Sequence, residues 1–324
     1  MRGRHHLHPA GENLPERKYG YRPVSSQELA AIPKERPKRP LLAGEDGIRL
    51  SLAGAQDKVA VRIEGNDISL PLGGVPSTHI LKPAVERFAG VVFNEALCMR
   101  LAATAGLPAA KVEARIVEDI EYLLVERYDR VHQKNAEGAT TLDRLHQEYF
   151  CQAQGIASEA KYQKECGPSL KQCVALLRDV SNAPVIDLSR LLDAVIYNYL
   201  VGDNDAHNGK NFSLLYRGVG NGEPGDKARA SLRCRQHHLL SRAQQRHGHE
   251  NGGEYSSDKV GPNDFEQLAE EAGLAKPIVK NRVPELAETV IANFDRAGIE
   301  HPVAQAVAAL IRKRCETVRT GFKK

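Results

Sequence analysis

The chain has 324 residues, 41% of them hydrophobic and 27% charged, which is ordinary for a globular protein and excludes a fibrous or wholly disordered one. Its net charge is +4, and no stretch approaches the roughly 18 consecutive apolar residues of a membrane span, so we expect no membrane association. Six cysteines without a CxxC pair predict reduced thiols and a cytoplasmic protein, and the length predicts about two domains.

The first part of the chain predicts a small sheet with one helix. Residues 1–45 are polar and rich in Pro and Arg, and are expected to end in an extended connector. Four short β-type runs follow, RLSLAG, KVAVRIEG, DISLPLG and THILKPA, with a hairpin turn at Gly65-Asn66. A helix is predicted over FNEALCMRLAATAG, and two more strands over KVEARIVE and EYLLVERYDR.

After Arg130 the pattern is mostly helical. Apolar residues recur at helical spacing in SLKQCVALLRDVS, in DLSRLLDAVIYNYLVGDND and in three segments of the tail. The order predicts an α+β fold of two lobes, with a connector at 1–45, a small β-rich lobe at 46–130 and a larger helical lobe at 131–324. The basic run from Arg312 to Arg314 is interpreted as a solvated helix face.

Two features of the small lobe suggest a phosphate site. The loop SLAGAQDK, residues 51–58, contains small residues that let backbone N–H groups approach phosphate oxygens. A plain hairpin turn is the alternative, because the loop matches neither common glycine-rich motif. Lys82 follows an apolar strand, where it could hold nucleotide phosphates with Glu95 of the next helix as its orienting partner. A solvated surface lysine is the alternative.

The densest set of polar side chains lies in VGDNDAHNGKNFSLL, residues 201–215. This loop follows a long apolar helix and precedes a short apolar strand. Asp, Asn and Lys together suit phosphoryl transfer: the carboxylate accepts a hydroxyl proton, the amide oxygen ligates Mg²⁺, and the ammonium neutralises phosphoryl charge. An ordinary polar loop is the alternative.

In this order, five motifs resemble the HipA family of bacterial serine/threonine kinases, which are the toxins of type II toxin–antitoxin pairs. The resemblance covers roughly residues 20–225 and 252–324, and it implies a kinase-like fold. The motifs are RLSLAGAQDK (49–58), THILKP (78–83), LVERYDR (124–130), LHQEYFCQ (145–152) and DAHNGKNFS (205–213).

The resemblance implies a role for each matched position. Asp205 would be the catalytic aspartate and Asn211 a Mg²⁺ ligand, while Ser51 would be autophosphorylated, which switches the kinase off. A phosphate on Ser51 would bring about −1.5 to −2 charges into the loop that holds the ATP phosphates. The implied ATP-binding residues are Ala53, Gly54, Ala55, Gln56, Asp57, Lys58, Lys82, Glu126, Arg127, Tyr128, His207 and Lys210.

The resemblance also implies partners. The substrate would be a protein, by resemblance a translation component such as glutamyl-tRNA synthetase. A HipB-like antitoxin would be a further partner, with DNA reached only indirectly through it. Members of the family usually carry a β-rich subdomain before the connector, and we expect that residues 1–45 hold only its last part.

Two departures from the family pattern concern metal binding. The catalytic loop carries one residue more than the family's D-x-H-x-K-N spacing, which would displace Asn211 by up to ~3.3 Å in an extended loop. Residues 226–251 carry five Arg and one Lys against two acidic residues, which accounts for the chain's whole positive excess. This segment lacks the family's LAPxYD-like motif, whose Asp is the second metal ligand.

We interpret this segment as a local frameshift, because reading one base later with suitable codons can restore the motif near Arg233 and Cys234. If the segment is real protein, we expect a lost core strand and a weak or inactive kinase. Two other classes of function remain open. One is a catalytically dead relic or protein-binding module, and the other is a nucleic-acid-binding protein that uses the Arg/His-rich segment.

Overall fold

The structure is a computed structural model of the whole chain. It describes residues 19–34, 58–84, 90–134, 138, 140–157, 167–203, 211–217 and 260–322, and the backbone of 229–234. The chain divides into two compact units. The first is formed by Met1–Ala84 with Arg115–His146, and the second by Val85–Ala114 with Gln147–Lys324. The lobe boundaries derived from the sequence stay a prediction.

The first unit is built on a six-stranded sheet with the order β1-β3-β2-β4-β6-β5. The pairs β1–β3, β3–β2, β2–β4 and β4–β6 are antiparallel. The strands are β1 (Gly20–Pro23), β2 (Val59–Glu64), β3 (Asp67–Leu72), β4 (His79–Pro83), β5 (Val112–Val117) and β6 (Ile120–Glu126), and helix α1 is Ser26–Lys34.

Apolar residues at every second position of the strands determine which face of this sheet is buried under α1. Val59 and Val61 of β2 and Leu81 of β4 join Leu29 of α1 in one apolar core. The predicted hairpin is confirmed, because Glu64 pairs with Asp67 across the two-residue turn that joins β2 to β3. Gly65 has φ +59° there, a conformation that favours glycine.

The second unit is mostly helical and contains the larger apolar core. Helix α2, which lies between β4 and β5 in sequence, belongs to this unit and packs against α8 and α9. The helices are α2 (Val91–Thr104), α3 (Phe150–Ala153), α4 (Leu170–Val180), α5 (Pro184–Val201), α6 (Pro262–Ala272), α7 (Lys276–Ala292), α8 (Phe294–Ala297) and α9 (Pro302–Gly321).

Local sequence explains where several of these helices begin and end. Ser169 caps α4: its hydroxyl accepts from the backbone N–H of Gln172, whose side chain accepts from the backbone N–H of Ser169. Helices α5, α6, α7 and α9 carry Pro in their first turn, where the missing N–H costs no hydrogen bond. Glycines with positive φ, Gly202 and Gly273, end α5 and α6.

Two small β elements complete the described structure. The strands β7 (Arg130–Lys134) and β8 (Thr140–Arg144) form an antiparallel ribbon. A three-stranded sheet has the order β11-β10-β9, with β9 at His146–Tyr149, β10 at Phe212–Arg217 and β11 at Arg229–Cys234.

Strand β11 corrects one expectation from the sequence. Residues 229–234 do form a strand, paired with β10 from Arg217↔Arg229 to Phe212↔Cys234. The expectation of a lost strand in this segment is therefore wrong for these six residues. The six residues RASLRC carry the alternation expected of a strand, since Ala230, Leu232 and Cys234 are separated by Ser231 and Arg233. Within the described residues, no helix is long and apolar enough to cross a membrane.

Candidate active site

Two buried lysines lie at the same end of neighbouring strands in the first unit. Val59 of β2 pairs with Leu81 of β4. Because these strands are antiparallel, the next position along each of them places Lys58 beside Lys82. Lys58 is 9% exposed and Lys82 only 2%. Since Val59 and Leu81 face the core under α1, alternation turns both lysines to the opposite face of the sheet. Burial of two ammonium groups on one face is costly without anionic partners, and both lysines have polar or electrostatic interactions in the structure.

The same sheet face continues into an apolar surface. The strand registers pair Ala60 with Ile80, and Ile80 in turn with Val125 of β6. Lys82 pairs with Leu123, which is fully buried. A surface with apolar side chains beside two ammonium groups offers contacts for a flat base and for phosphates, which are the two ends of a nucleotide.

The motif VERYDR forms a buried charge cluster directly after β6. The Arg127 guanidinium donates two hydrogen bonds to the Asp129 carboxylate, at 3.0 and 2.8 Å. Arg130 Nη1 lies 2.8 Å from Asp129 Oδ2, and Arg130 Nε donates to the carbonyl oxygen of Ser77 at 2.7 Å. The Arg127 side chain therefore stabilises the segment after β6. The backbone N–H of Arg127 also donates to the Thr78 carbonyl oxygen.

This cluster perturbs its own ionisable groups. Burial acts to raise the pKa of Asp129, but the hydrogen bonds and charge of Arg127 and the charge of Arg130 outweigh it, so the pKa is lowered. Burial and repulsion from Arg127 lower the pKa of Arg130 to about 10. The resemblance implied that Glu126, Arg127 and Tyr128 bind ATP, but nothing in the sequence showed that Asp129 and Arg130 hold that segment in place.

Helix α2 presents a buried polar face in the second unit. Asn94 and Glu95 are 2% and 3% exposed, and the Cys98 thiol donates to Asn94 Oδ1 at 3.7 Å. Burial raises the pKa of Cys98 well above its ordinary value, and the negative charges of Asp203 and Glu95 add to this. Cys98 is therefore an inert core thiol. Glu95 and Lys82 belong to different units, so their ion pair stays a prediction.

The candidate catalytic loop is described at its two ends only. Helix α5 ends at Gly202, with φ +81°, and the backbone N–H of Asp203 donates to the Asn198 carbonyl oxygen at 2.8 Å. Asn211, 7% exposed, directly precedes β10. The predicted site residues Asp205, His207 and Lys210 lie outside the described residues, as do Ser51 and the loop residues Ala53, Gly54, Ala55, Gln56 and Asp57.

The β10–β11 register bears on the predicted metal site. Phe212, the residue after Asn211, pairs with Cys234. The resemblance implies a second metal-binding carboxylate near Arg233 and Cys234, where this sequence has no acidic residue. Within the described part of the chain, no group of three or more His, Cys, Asp or Glu side chains could hold a metal ion.

The motif LHQEYFCQ contributes a carboxylate to the same small sheet. The Tyr216 hydroxyl of β10 donates to Glu148 Oε2 at 2.8 Å. Burial, followed by this hydrogen bond and the charge of Glu148, raises the pKa of Tyr216 to about 12. No sequence signal points to this pair, because the two residues are 68 positions apart.

Comparison with known proteins settles the family. A family model described as the HipA-like C-terminal domain matches residues 50–298. This chain belongs to the HipA family. It is 50% identical over 194 residues to the Sinorhizobium fredii protein named "Putative kinase Y4mE", an alignment that covers 60% of this chain and 45% of that protein.

Two further comparisons extend this result. The chain is 32% identical over 217 residues to the serine/threonine-protein kinase toxin HipA of Shewanella oneidensis, covering 64% of this chain and 48% of that protein. It thus spans about half the length of these two relatives. A chain of the solved complex of Shewanella oneidensis HipA, HipB and operator DNA matches with a TM-score of 0.75 and 22% identity. That match covers 97% of this chain and 75% of the other, so the predicted kinase-like α+β fold is confirmed.

Proposed function

We propose that this HipA-family protein is a kinase that transfers the γ-phosphoryl group of ATP to a serine or threonine hydroxyl of a protein. The observation that carries the proposal is the pair of buried lysines, Lys58 and Lys82, on the sheet face that continues into an apolar surface. The names of the HipA-family relatives, a kinase and a serine/threonine-protein kinase toxin, support it.

The residues present fit the phosphate end of ATP. Lys58 and Lys82 supply buried positive charge for phosphate oxygens, and the segment from Glu126 to Tyr128 would contact adenine. The Arg127–Asp129–Arg130 cluster would keep that segment in one conformation. Mg²⁺ supplies charge neutralisation on the transferring phosphoryl group when it is bound. The amide oxygen of Asn211 would be one of its ligands, because Mg²⁺ prefers oxygen donors.

Asp205 would act on the substrate hydroxyl. A bond forms between the hydroxyl oxygen and the γ-phosphorus while the bond from that phosphorus to the β–γ bridging oxygen breaks. The hydroxyl proton passes to the Asp205 carboxylate, and ADP leaves with the bridging oxygen. Lys210 and His207 would line the phosphate side and stabilise the developing negative charge.

Autophosphorylation of Ser51 would regulate the enzyme. Ser51 precedes the predicted phosphate loop, residues 53–58, by two positions. A phosphate on this hydroxyl adds about −1.5 to −2 charges, which repel the phosphates of ATP. The modified chain would therefore bind ATP less tightly than the unmodified chain.

A second candidate function is a catalytically dead relic that retains a protein-binding role. The sequence favours it, because Arg233 and Cys234 stand where the resemblance implies the second metal-binding carboxylate. A kinase with Asn211 and Asp205 alone would bind Mg²⁺–ATP weakly. A frameshift in the gene, as inferred from the sequence, would remove this objection, and resequencing the codons of residues 215–255 tests it.

Partners follow from the same proposal. A HipB-like antitoxin would bind this protein, because the similar solved complex contains HipA together with HipB and operator DNA. This protein would associate with DNA only indirectly, through the antitoxin. The protein substrate would be a translation component such as glutamyl-tRNA synthetase, and the site of action would be the cytoplasm.

Incubation with Mg²⁺ and γ-labelled ATP, followed by mapping of the modified peptide, tests the proposal. We expect label on Ser51, loss of that label in Ser51→Ala, and retention in the control Ser69→Ala, which alters a serine of β3. No label on a folded wild-type protein at excess Mg²⁺–ATP would instead support the relic.

A further inference from the structure

The C-terminal turn of α5 is tied to a distant part of the chain. Arg314 of α9 donates from Nη1 to the carbonyl oxygen of Leu200 at 3.3 Å, across 114 positions of sequence. Leu200 lies in the last turn of α5, where carbonyl groups lack a partner within the helix. A guanidinium at this end also complements the negative pole of the helix dipole.

Two other carbonyl groups of this turn are bonded by the chain itself. The Gly202 N–H donates to the carbonyl oxygens of Asn198 and Tyr199, and the Asp203 N–H donates to that of Asn198. Such bonds are typical of a helix terminus that ends in glycine. Together with Arg314 they fix the direction in which the chain leaves α5.

Gly202 is packed directly against the guanidinium. A Cβ added at Gly202 would collide with Arg314, whereas one added at Gly273, the equivalent glycine of α6, would meet nothing closer than 3.9 Å. Arg178 donates a hydrogen bond to the carbonyl oxygen of Gly273, but its side chain lies far enough away that a Cβ at Gly273 would fit. The chain reaches the assigned catalytic residue Asp205 three positions after Gly202.

We infer that Arg314 is a positioning residue for phosphoryl transfer, which acts by fixing the last turn of α5 and the way the chain leaves that helix at Gly202 and Asp203. The basic run from Arg312 to Arg314 is therefore not uniformly a solvated face. Arg312 lies over the Phe294 ring at 4.7 Å, while Arg314 is partly buried at the end of α5. The catalytic part of this inference rests on the proposed kinase function, whereas the anchoring of α5 by Arg314 does not.

The test compares Arg314→Gln with Arg312→Gln, since each removes one charge from the same helix. At a temperature well below both unfolding midpoints, we expect Arg314→Gln to speed amide exchange at Gly202 and Asp203 by about tenfold. We expect kcat to fall by about tenfold, with KM for ATP within about twofold of wild type. Arg314→Lys should recover part of kcat, and Arg312→Gln should match wild type in all three measurements.

Several outcomes would overturn the inference. They are unchanged exchange at Gly202 and Asp203 in Arg314→Gln, equal effects in Arg312→Gln, or faster exchange without any loss of kcat in an active enzyme. If wild type transfers no phosphoryl group, the proposed function fails, and the exchange comparison alone decides whether Arg314 anchors α5.

Discussion

The hydroxyl of Tyr197, on α5, donates a 2.6 Å hydrogen bond to the carbonyl oxygen of Cys98, on α2, and both residues are fully buried. The backbone N–H of Ala102 also approaches this hydroxyl. The phenol thus bonds to the backbone of α2, the helix that carries Glu95. This contact joins α2 to the helix that ends at the candidate catalytic loop.

Replacing Tyr197 by Phe should destabilise the protein by about 1–2 kcal/mol, because the buried carbonyl oxygen of Cys98 loses a hydrogen-bond donor. Tyr199→Phe is the matched control on the same helix, since its hydroxyl donates to Val260 at 3.1 Å in a partly buried position. Denaturant unfolding measures both. A smaller loss for Tyr197→Phe than for Tyr199→Phe would contradict this account of the α2–α5 contact.

The Asp129 cluster gives a second prediction. Asp129→Asn keeps the size of the side chain but leaves Arg127 and Arg130 buried beside each other, so we expect a loss of about 3 kcal/mol. Glu64→Gln, which breaks the pair with Arg62 at a carboxylate 68% exposed, should cost less than about 1 kcal/mol. Equal unfolding midpoints for the two variants would show that the buried cluster is not stabilising.

The same cluster predicts an acid dependence. The pKa of Asp129 is lowered below its ordinary value of 3.8, so its contribution is present above that pH and is lost as the pH falls further, through the folded-state pKa. Asp129→Asn should therefore show a flatter decline of stability below about pH 4 than wild type. Denaturant unfolding at a series of acid pH values measures both slopes, and parallel slopes would contradict the assigned pKa shift.

Gly202→Ala should destabilise the protein more than Gly273→Ala. Both glycines end helices with positive φ, at +81° and +66°, so both variants suffer the same strain of about 1 kcal/mol in the left-handed region. Gly202→Ala in addition displaces Arg314 from Leu200. Thermal unfolding should separate the two variants by about 1 kcal/mol, the free energy of the hydrogen bond that Gly202→Ala breaks. Equal losses would show that Arg314 shifts without any loss of stability.

Tyr216 predicts an alkaline dependence. Its pKa is raised from 10.0 to about 12, so its contribution to stability is complete below pH 10 and is lost as the pH rises towards 12. Tyr216→Phe should remove that part of the slope, and Glu148→Gln should bring the ionisation of Tyr216 back towards 10. The absorbance of ionised tyrosine, recorded against pH, measures this. An identical titration in wild type and Glu148→Gln would contradict the assigned cause.

Much of the fold could be predicted because local patterns and tertiary packing agree. Alternation in KVAVRIEG and DISLPLG predicted β2 and β3, and the two-residue turn between them fixed their register. Helical spacing predicted α4 and α5 for the same reason, since each buries the apolar stripe that the sequence shows. Helix α2 was also predicted, although it is buried on nearly all sides.

What could not be predicted depends on contacts between distant residues. The strand β11 was not predicted, because the alternation in RASLRC covers only six residues of a basic segment, and its pairing with β10 is a tertiary contact. The run Arg312 to Arg314 looked like a uniform charged face, and only the packing of α9 against α5 distinguishes Arg314. At the candidate site, residue types indicated Lys82 and Asn211, but neither the burial of Lys58 beside Lys82 nor the Asp129 cluster has a local signature.

The most direct test of the central claim measures Mg²⁺-dependent phosphoryl transfer from ATP in wild type, Lys82→Met, Asp205→Asn and the control Lys280→Met, an exposed lysine of α7. The account predicts transfer by wild type and Lys280→Met. It predicts a loss of at least about a hundredfold in the other two, because one loses phosphate binding and the other the proton acceptor. Transfer that is unchanged in Lys82→Met and Asp205→Asn, or absent from all four folded proteins, would contradict it.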